Sequence, residues 1–137
     1  MAKGRPKKTP QPIMPQKVPP APKSLSAGAK AIWDAAARDL CERGIFAVAD
    51  TPQLETFCRM HLIFQTSMAR VEQDGPTIDS PHGIKRHPAW GMAKEAAQVC
   101  AQMAGQLGLS AAARKRIGAA SGAGAVDGDD PILDRSV

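Results

Sequence analysis

The sequence predicts a mainly α protein: three long helices, a short fourth helix, and a small β-hairpin between helices two and three. Three observations predict it. Aromatic residues make up only 4% of the chain and tyrosine is absent, so the core must be built from Ala, Leu, Met, Ile and Val, which suits closely packed helices. Apolar residues recur at three- and four-residue spacing in three separate stretches. Prolines and glycines gather between these stretches and at the two ends. The 137 residues divide into a Pro-rich basic arm (1–22), a helical domain (23–118, with the hairpin at about 76–87) and an acidic tail (119–137). Both tails are expected to be disordered.

The arm carries seven prolines between Pro6 and Pro22. Proline fixes φ and lacks an amide donor, so neither helix nor sheet can propagate there. Helix one starts near Ser24 or Ser26, whose hydroxyls suit an N-cap. Its apolar face is Ala29, Ile32, Trp33, Ala36, Ala37, Leu40 and Cys41, and Gly44 suits the residue just past its end. Ile45–Ala49 connects to helix two, expected over Thr51–Gln73. There Asp50, Pro52 and Gln53 form a capping-box pattern. Core candidates in helix two are Leu54, Phe57, Cys58, His61, Leu62, Phe64, Met68 and Val71, with Met60 and Ile63 widening the apolar surface. A helix this apolar is central in the fold or contributes to a subunit contact.

Asp74-Gly75 breaks that helix, and residues 76–88 hold three prolines and one glycine. Thr77–Asp79 and Ile84–Arg86 are expected to pair around a turn at Ser80–Gly83. Pro88 opens helix three (Ala89–Gln106), whose stripe is Ala93, Ala96, Ala97, Cys100, Met103, Ala104 and Leu107. Gly108 ends it. Ser110 caps helix four, expected over Ala111–Ile117. A core of this size and composition is marginal alone, which favours oligomerisation.

Charge is unevenly distributed. Residues 1–30 carry +7 with no acid, residues 31–118 carry +1, and residues 119–137 carry −3. A basic head and an acidic end imply a polyanion at one end and a different partner at the other. Candidate DNA contacts are Lys3, Arg5, Lys7, Lys8, Lys17, Lys23 and Lys30 in and after the arm, Lys85 and Arg86 on the hairpin, and Arg114, Lys115 and Arg116 on helix four. Lys3–Lys8 reads KGRPKK, similar to an AT-hook core with Lys3 where that motif has arginine. An extended Gly-Arg-Pro can place its arginine in a narrow minor groove while lysines neutralise phosphates. The same residues would also serve as a general basic tail. The helix-four cations have a structural use too, since they are expected at a helix C-terminus.

No phosphate loop, GxSxG or HExxH occurs. His61, His82 and His87 lack partners at metal-ligand spacing, and the cysteines Cys41, Cys58 and Cys100 are isolated. Asp127, Asp129 and Asp130 are clustered, but without a fixed cage they would hold a metal weakly. No catalytic residue, metal or cofactor is therefore assigned. There is no apolar run of the roughly 18 residues a membrane span needs, and no secretory signal.

The order of landmarks resembles the terminase small-subunit family of tailed double-stranded-DNA phages. The basic arm MAKGRPKK leads to Pro22-Lys23-Ser24-Leu25 and then Trp33. Gly44-Ile45-Phe46 and Asp50 precede helix two, and Gly75, Gly83 and His87-Pro88 follow it. Leu107-Gly108-Leu109-Ser110 with Arg114 resembles the family's LGL-[ST]-P-x-x-R ending, with Ala111 where the family often has proline. The resemblance covers about residues 1–118. It implies a non-enzymatic homo-oligomeric ring, acting in the cytoplasm of the infected bacterial host. Such a ring binds double-stranded viral DNA and regulates a separate large subunit carrying the ATPase and nuclease. The acidic tail would then meet the large subunit or the portal. Two other readings compete: a dimeric transcriptional regulator with an AT-hook-like arm, and a structural head-completion protein without a DNA role. Helix two offers only Arg59 and Arg70 as cations, which weakens the regulator as a helix-turn-helix reader.

Overall fold

A computed structural model describes residues 17–122. Its elements in order are α1 (Ala27–Glu42), a short 3₁₀ turn (Val48–Asp50), α2 (Thr51–Asp74), β1 (Thr77–Ser80), β2 (Gly83–Arg86), α3 (Pro88–Leu107) and α4 (Ala111–Gly122). The expected three long helices and intervening hairpin are all present. Lys3, Arg5, Lys7, Lys8 and the acidic residues after 122 lie outside the described residues.

Ser26 caps α1, its Oγ accepting from the Ala29 amide at 3.4 Å. The helix ends in a Schellman motif: the Gly44 amide donates to the Cys41 carbonyl and the Ile45 amide to Leu40. Gly44 stands at φ +68°, a left-handed conformation in which a Cβ would be strained. Asp50 departs from its expected role. Its side chain does not cap α2; Oδ2 accepts instead from the Ala47 amide at 3.2 Å and closes the 3₁₀ turn. The connector is tight enough for Asp50 to reach backwards, so the capping box with Gln53 does not form.

α2 and α3 run antiparallel, as their contacts show. Asp74 meets His87 at one end, and the Cys100 thiol reaches the Phe57 carbonyl further along. Ala89, Ala93 and Ala96 are buried on α3, and small residues on one face permit close helix approach. The two strands pair antiparallel, with Ser80 opposite Gly83 and Thr77 opposite Arg86, around a Pro81-His82 turn. Each strand is one residue longer than expected at the turn.

The core gathers at the end away from the hairpin. Trp33, Leu40, Phe46, Leu54 and Cys58 are fully buried there, with Leu25, Ala29, Ala37 and Leu107 around them. Trp33 and Phe46 meet edge to face at 6.4 Å between centroids. The Trp33 indole N–H donates to the Pro19 carbonyl at 3.0 Å, and Ala21 packs against the same cluster. Pro19 and Ala21, from the last residues assigned to the arm, are thus held against α1. α1 approaches α2 closely at Gly28, where a Cβ would lie 2.9 Å from Leu62 Cδ1.

Helix four differs most from expectation. It continues to Gly122, five residues beyond Ile117, so Arg114–Arg116 do not stand at its C-terminus.

Candidate nucleic-acid interface

The described candidate cations fall in three places. Lys17 and Lys23 are exposed on the segment leading into α1, and Lys30 is exposed in its first turn. Lys85 and Arg86 are exposed on β2. Arg114, Lys115 and Arg116 lie on α4. α3 separates the second group from the third, and its 20 residues span about 30 Å. The fold does not bring the three groups into one patch.

The α4 cations have work within the chain. Arg114 Nη1 donates to the Leu109 carbonyl at 2.8 Å, and Arg116 Nη2 reaches the Gly105 carbonyl at 3.4 Å. Carbonyls in the last turn of a helix lack intrahelical partners, and that end of the dipole attracts cations. Gly105 lies in that last turn, so Arg116 stands at the end of the α3 dipole, while Arg114 ties down the Leu109 carbonyl of the linker that follows. Lys115 is exposed beside them.

The hairpin cations stand over a more developed surface. A recess of about 340 Å³ opens between the hairpin and the start of α3, lined by Pro76, Thr77, Ile84, Lys85, Arg86 and Trp90. Ile84 is 74% exposed and Trp90 39%. Two bonds close the hairpin at its base and its turn. The His87 amide donates to the Pro76 carbonyl at 2.9 Å, and Ser80 Oγ donates to the Gly83 carbonyl at 2.7 Å. The buried His87 ring joins the two helices: Nδ1 accepts from the Ala89 amide at 3.0 Å, and Nε2 lies 2.8 Å from Asp74 Oδ2. An Nδ1 that accepts leaves the ring proton on Nε2, where it donates to the carboxylate.

Sequence reasoning assigned no role to Ile84 or Trp90 at this site and did not identify His87 as the cap of α3. The signal for Trp90 was its place three residues before Ala93 and seven before Ala97, which sets a large ring at the edge of the alanine stripe of helix three. For His87 it was the following proline, which usually marks the first helical position.

A second recess of about 280 Å³ lies on the other side of Trp90, along the α2–α3 pair. Phe64, Met68, Trp90, Ala93, Lys94 and Ala97 line it. Phe64 and Met68 were read as core, but both are only half-buried, because α1 does not extend over this part of α2. Ile63 and Met92 are also exposed, on other faces of α2 and α3.

The remaining titratable groups are structural. His61 stacks on Phe57 at 5.6 Å between centroids and contacts Gln65 at 3.3 Å. Burial pushes the Cys58 thiol up to about 12, with Cys100, Asp34 and Glu55 adding to the shift; burial also raises Cys41 and Cys100. Glu55 is held below its ordinary value chiefly by its hydrogen bond from Arg59, which also bonds Ser24. Among the described residues, no group of three or more His, Cys, Asp or Glu is placed to hold a metal.

Residues 29–123 match the family model described as "Phage terminase, small subunit", which spans well over half of the chain. No curated protein and no solved structure gives a significant match.

Proposed function

The chain belongs to the phage terminase small-subunit family, and from that premise we propose that it recognises double-stranded viral DNA, assembles as a homo-oligomeric ring and regulates the large subunit during genome packaging. The family is in general the non-catalytic partner in its motor. In this reading the chain has no active site of its own, and the ATPase and nuclease reside in the large subunit. It works in the cytoplasm of the infected bacterial host. No helix among the described residues is long and apolar enough to cross a membrane.

The observation that carries the reading is the family match, which takes in all four helices and the hairpin. Two features of the molecule support its parts. The half-buried Phe64–Met68 recess is the surface on which a second copy would pack. The basic N-terminal residues Lys3, Arg5, Lys7 and Lys8 supply cations for DNA phosphates, joined by Lys17, Lys23 and Lys30. The acidic residues Asp127, Asp129, Asp130 and Asp134 are left for the large subunit or the portal.

The test is duplex binding by the full chain across a salt series, in parallel with large-subunit ATPase assays. Expected is a log–log salt slope of about −0.9 per phosphate contacted, reduced when Lys3, Arg5, Lys7 and Lys8 become alanine. The large subunit's ATPase rate should change on addition of the chain. Salt-indifferent DNA binding, or an ATPase rate unmoved by the chain, would contradict the proposal.

A further inference from the structure

We propose that the recess between the hairpin and α3 binds an unpaired nucleotide of single-stranded DNA, with Trp90 stacking on its base and Lys85 and Arg86 holding the adjoining phosphates. The proposal rests on the DNA-binding reading only for the polymer it meets, and it adds a second, chemically different DNA site to the basic arm.

The chain has two tryptophans, and the fold treats them in opposite ways. Trp33 is fully buried, with its indole N–H bonded to Pro19. Trp90, in the first turn of α3, leaves 39% of its surface in water. Ile84, on the opposite wall of the recess, is 74% exposed among the described residues. An apolar recess with an aromatic wall stays in water at a cost, which a flat aromatic partner relieves. Its rim names the charge of that partner: among the described residues, the lining holds two cations, Lys85 and Arg86, and no carboxylate. Flat faces joined by regularly spaced negative charges describe single-stranded nucleic acid, whose bases each offer a π-face to an aromatic side chain.

A duplex fits less well. Its bases are already stacked, so it can offer this surface only phosphates and groove edges, and the apolar wall would stay uncovered. The recess, at about 340 Å³, is sized for one small flat group. It is also held in shape before any ligand arrives. The His87 bridge between Asp74 and the Ala89 amide fixes the start of α3, and the bond from the His87 amide to Pro76 fixes the base of the hairpin. Trp90 and the β2 cations therefore keep their separation, so little ordering entropy opposes binding.

The test is a titration of the full chain with a short oligothymidylate, read by tryptophan fluorescence. Buried Trp33 serves as the internal constant. Quenching of the exposed component is expected, with Trp90→Ala lowering affinity about tenfold or more. Lys85→Ala with Arg86→Ala should lower affinity while flattening the log–log salt slope by about 1.4. Both cations are exposed, so that double variant should keep its helical circular dichroism even if Trp90→Ala disturbs assembly. The proposal is overturned if oligothymidylate leaves Trp90 emission unchanged, or if the double variant binds it as wild type does. It is equally overturned if blunt duplex quenches Trp90 as strongly, or if an acidic peptide does so at lower concentration. Duplex binding measured on the same preparation separates the two readings. Its persistence without oligothymidylate quenching removes this site alone, and its loss with quenching intact removes the duplex-recognition reading alone.

Discussion

At the α1 end of the molecule, Trp33, Leu40, Phe46 and Leu54 are closed off from water on every side. At the hairpin end, among the described residues, α2 and α3 pack on each other: alanines 89, 93 and 96 fill the seam, while Ile84, Trp90 and Met92 remain exposed. The first region has three layers of chain around bulky side chains and stabilises the fold. The second is a two-helix arm with small residues inside and large ones outside, an arrangement that leaves apolar surface for partners. The fold is thus stabilised at one end of the helix pair, and the proposals above place recognition at the other.

The largest expected effect that would break this contrast is Trp33→Ala. Removing a fully buried indole that also bonds Pro19 should cost about 3–5 kcal/mol, measured by urea unfolding. Trp90→Ala should cost well under that by the same measurement, since its ring is partly in water. Equal losses would show that the arm carries as much of the fold as the α1 end. Next is Ala93→Leu, which forces a larger side chain into the α2–α3 seam and should cost about 1–3 kcal/mol.

Cys58 sharpens the contrast through pH. Its folded thiol is raised to about 12 from an ordinary value of 9.0, so the unfolded chain releases this proton first as pH rises. The stabilisation is complete below about pH 9 and is lost as pH climbs towards 12, at up to about 1.4 kcal/mol per pH unit. Cys58→Ala should flatten that alkaline slope, and an unchanged slope would mean that the thiol is not shielded. The smallest effect expected is His87→Ala, about 1 kcal/mol from losing the cap on the Ala89 amide. It should appear first as faster amide exchange around Pro76–Ala89, with exchange in α1 unaffected.

The α1 end was the more legible in the sequence. Ala29, Trp33, Ala37 and Leu40 are buried as their spacing predicts, because helical periodicity reports burial directly where one face meets a core. The hairpin was legible from Pro76, Pro81, Gly83 and Pro88, since these residues exclude helix on local grounds. Along the second half of α2, periodicity misled. Phe64 and Met68 lie on the apolar stripe, yet among the described residues no third helix covers them, and a stripe cannot say whether its partner belongs to the same chain. Contacts that depend on chain path were also hidden. Examples are Asp50 turning back to Ala47, His87 bridging Asp74 and Ala89, and Arg114 and Arg116 bonding carbonyls of the preceding segment. Of the candidate DNA contacts, charge alone identified Lys85 and Arg86, while the apolar wall beside them emerged only once the strands were folded onto α3.

The division of labour between the two ends is tested most directly by native mass spectrometry of the wild-type chain and Met68→Glu, with circular dichroism of both. Met68 is only half-buried and lines the apolar recess of the arm, so the charge should leave the fold intact. The account predicts a closed multi-subunit ring for wild type and a monomer of unchanged helical content for the variant. A wild-type monomer or dimer, or a variant that still forms the ring, would contradict it.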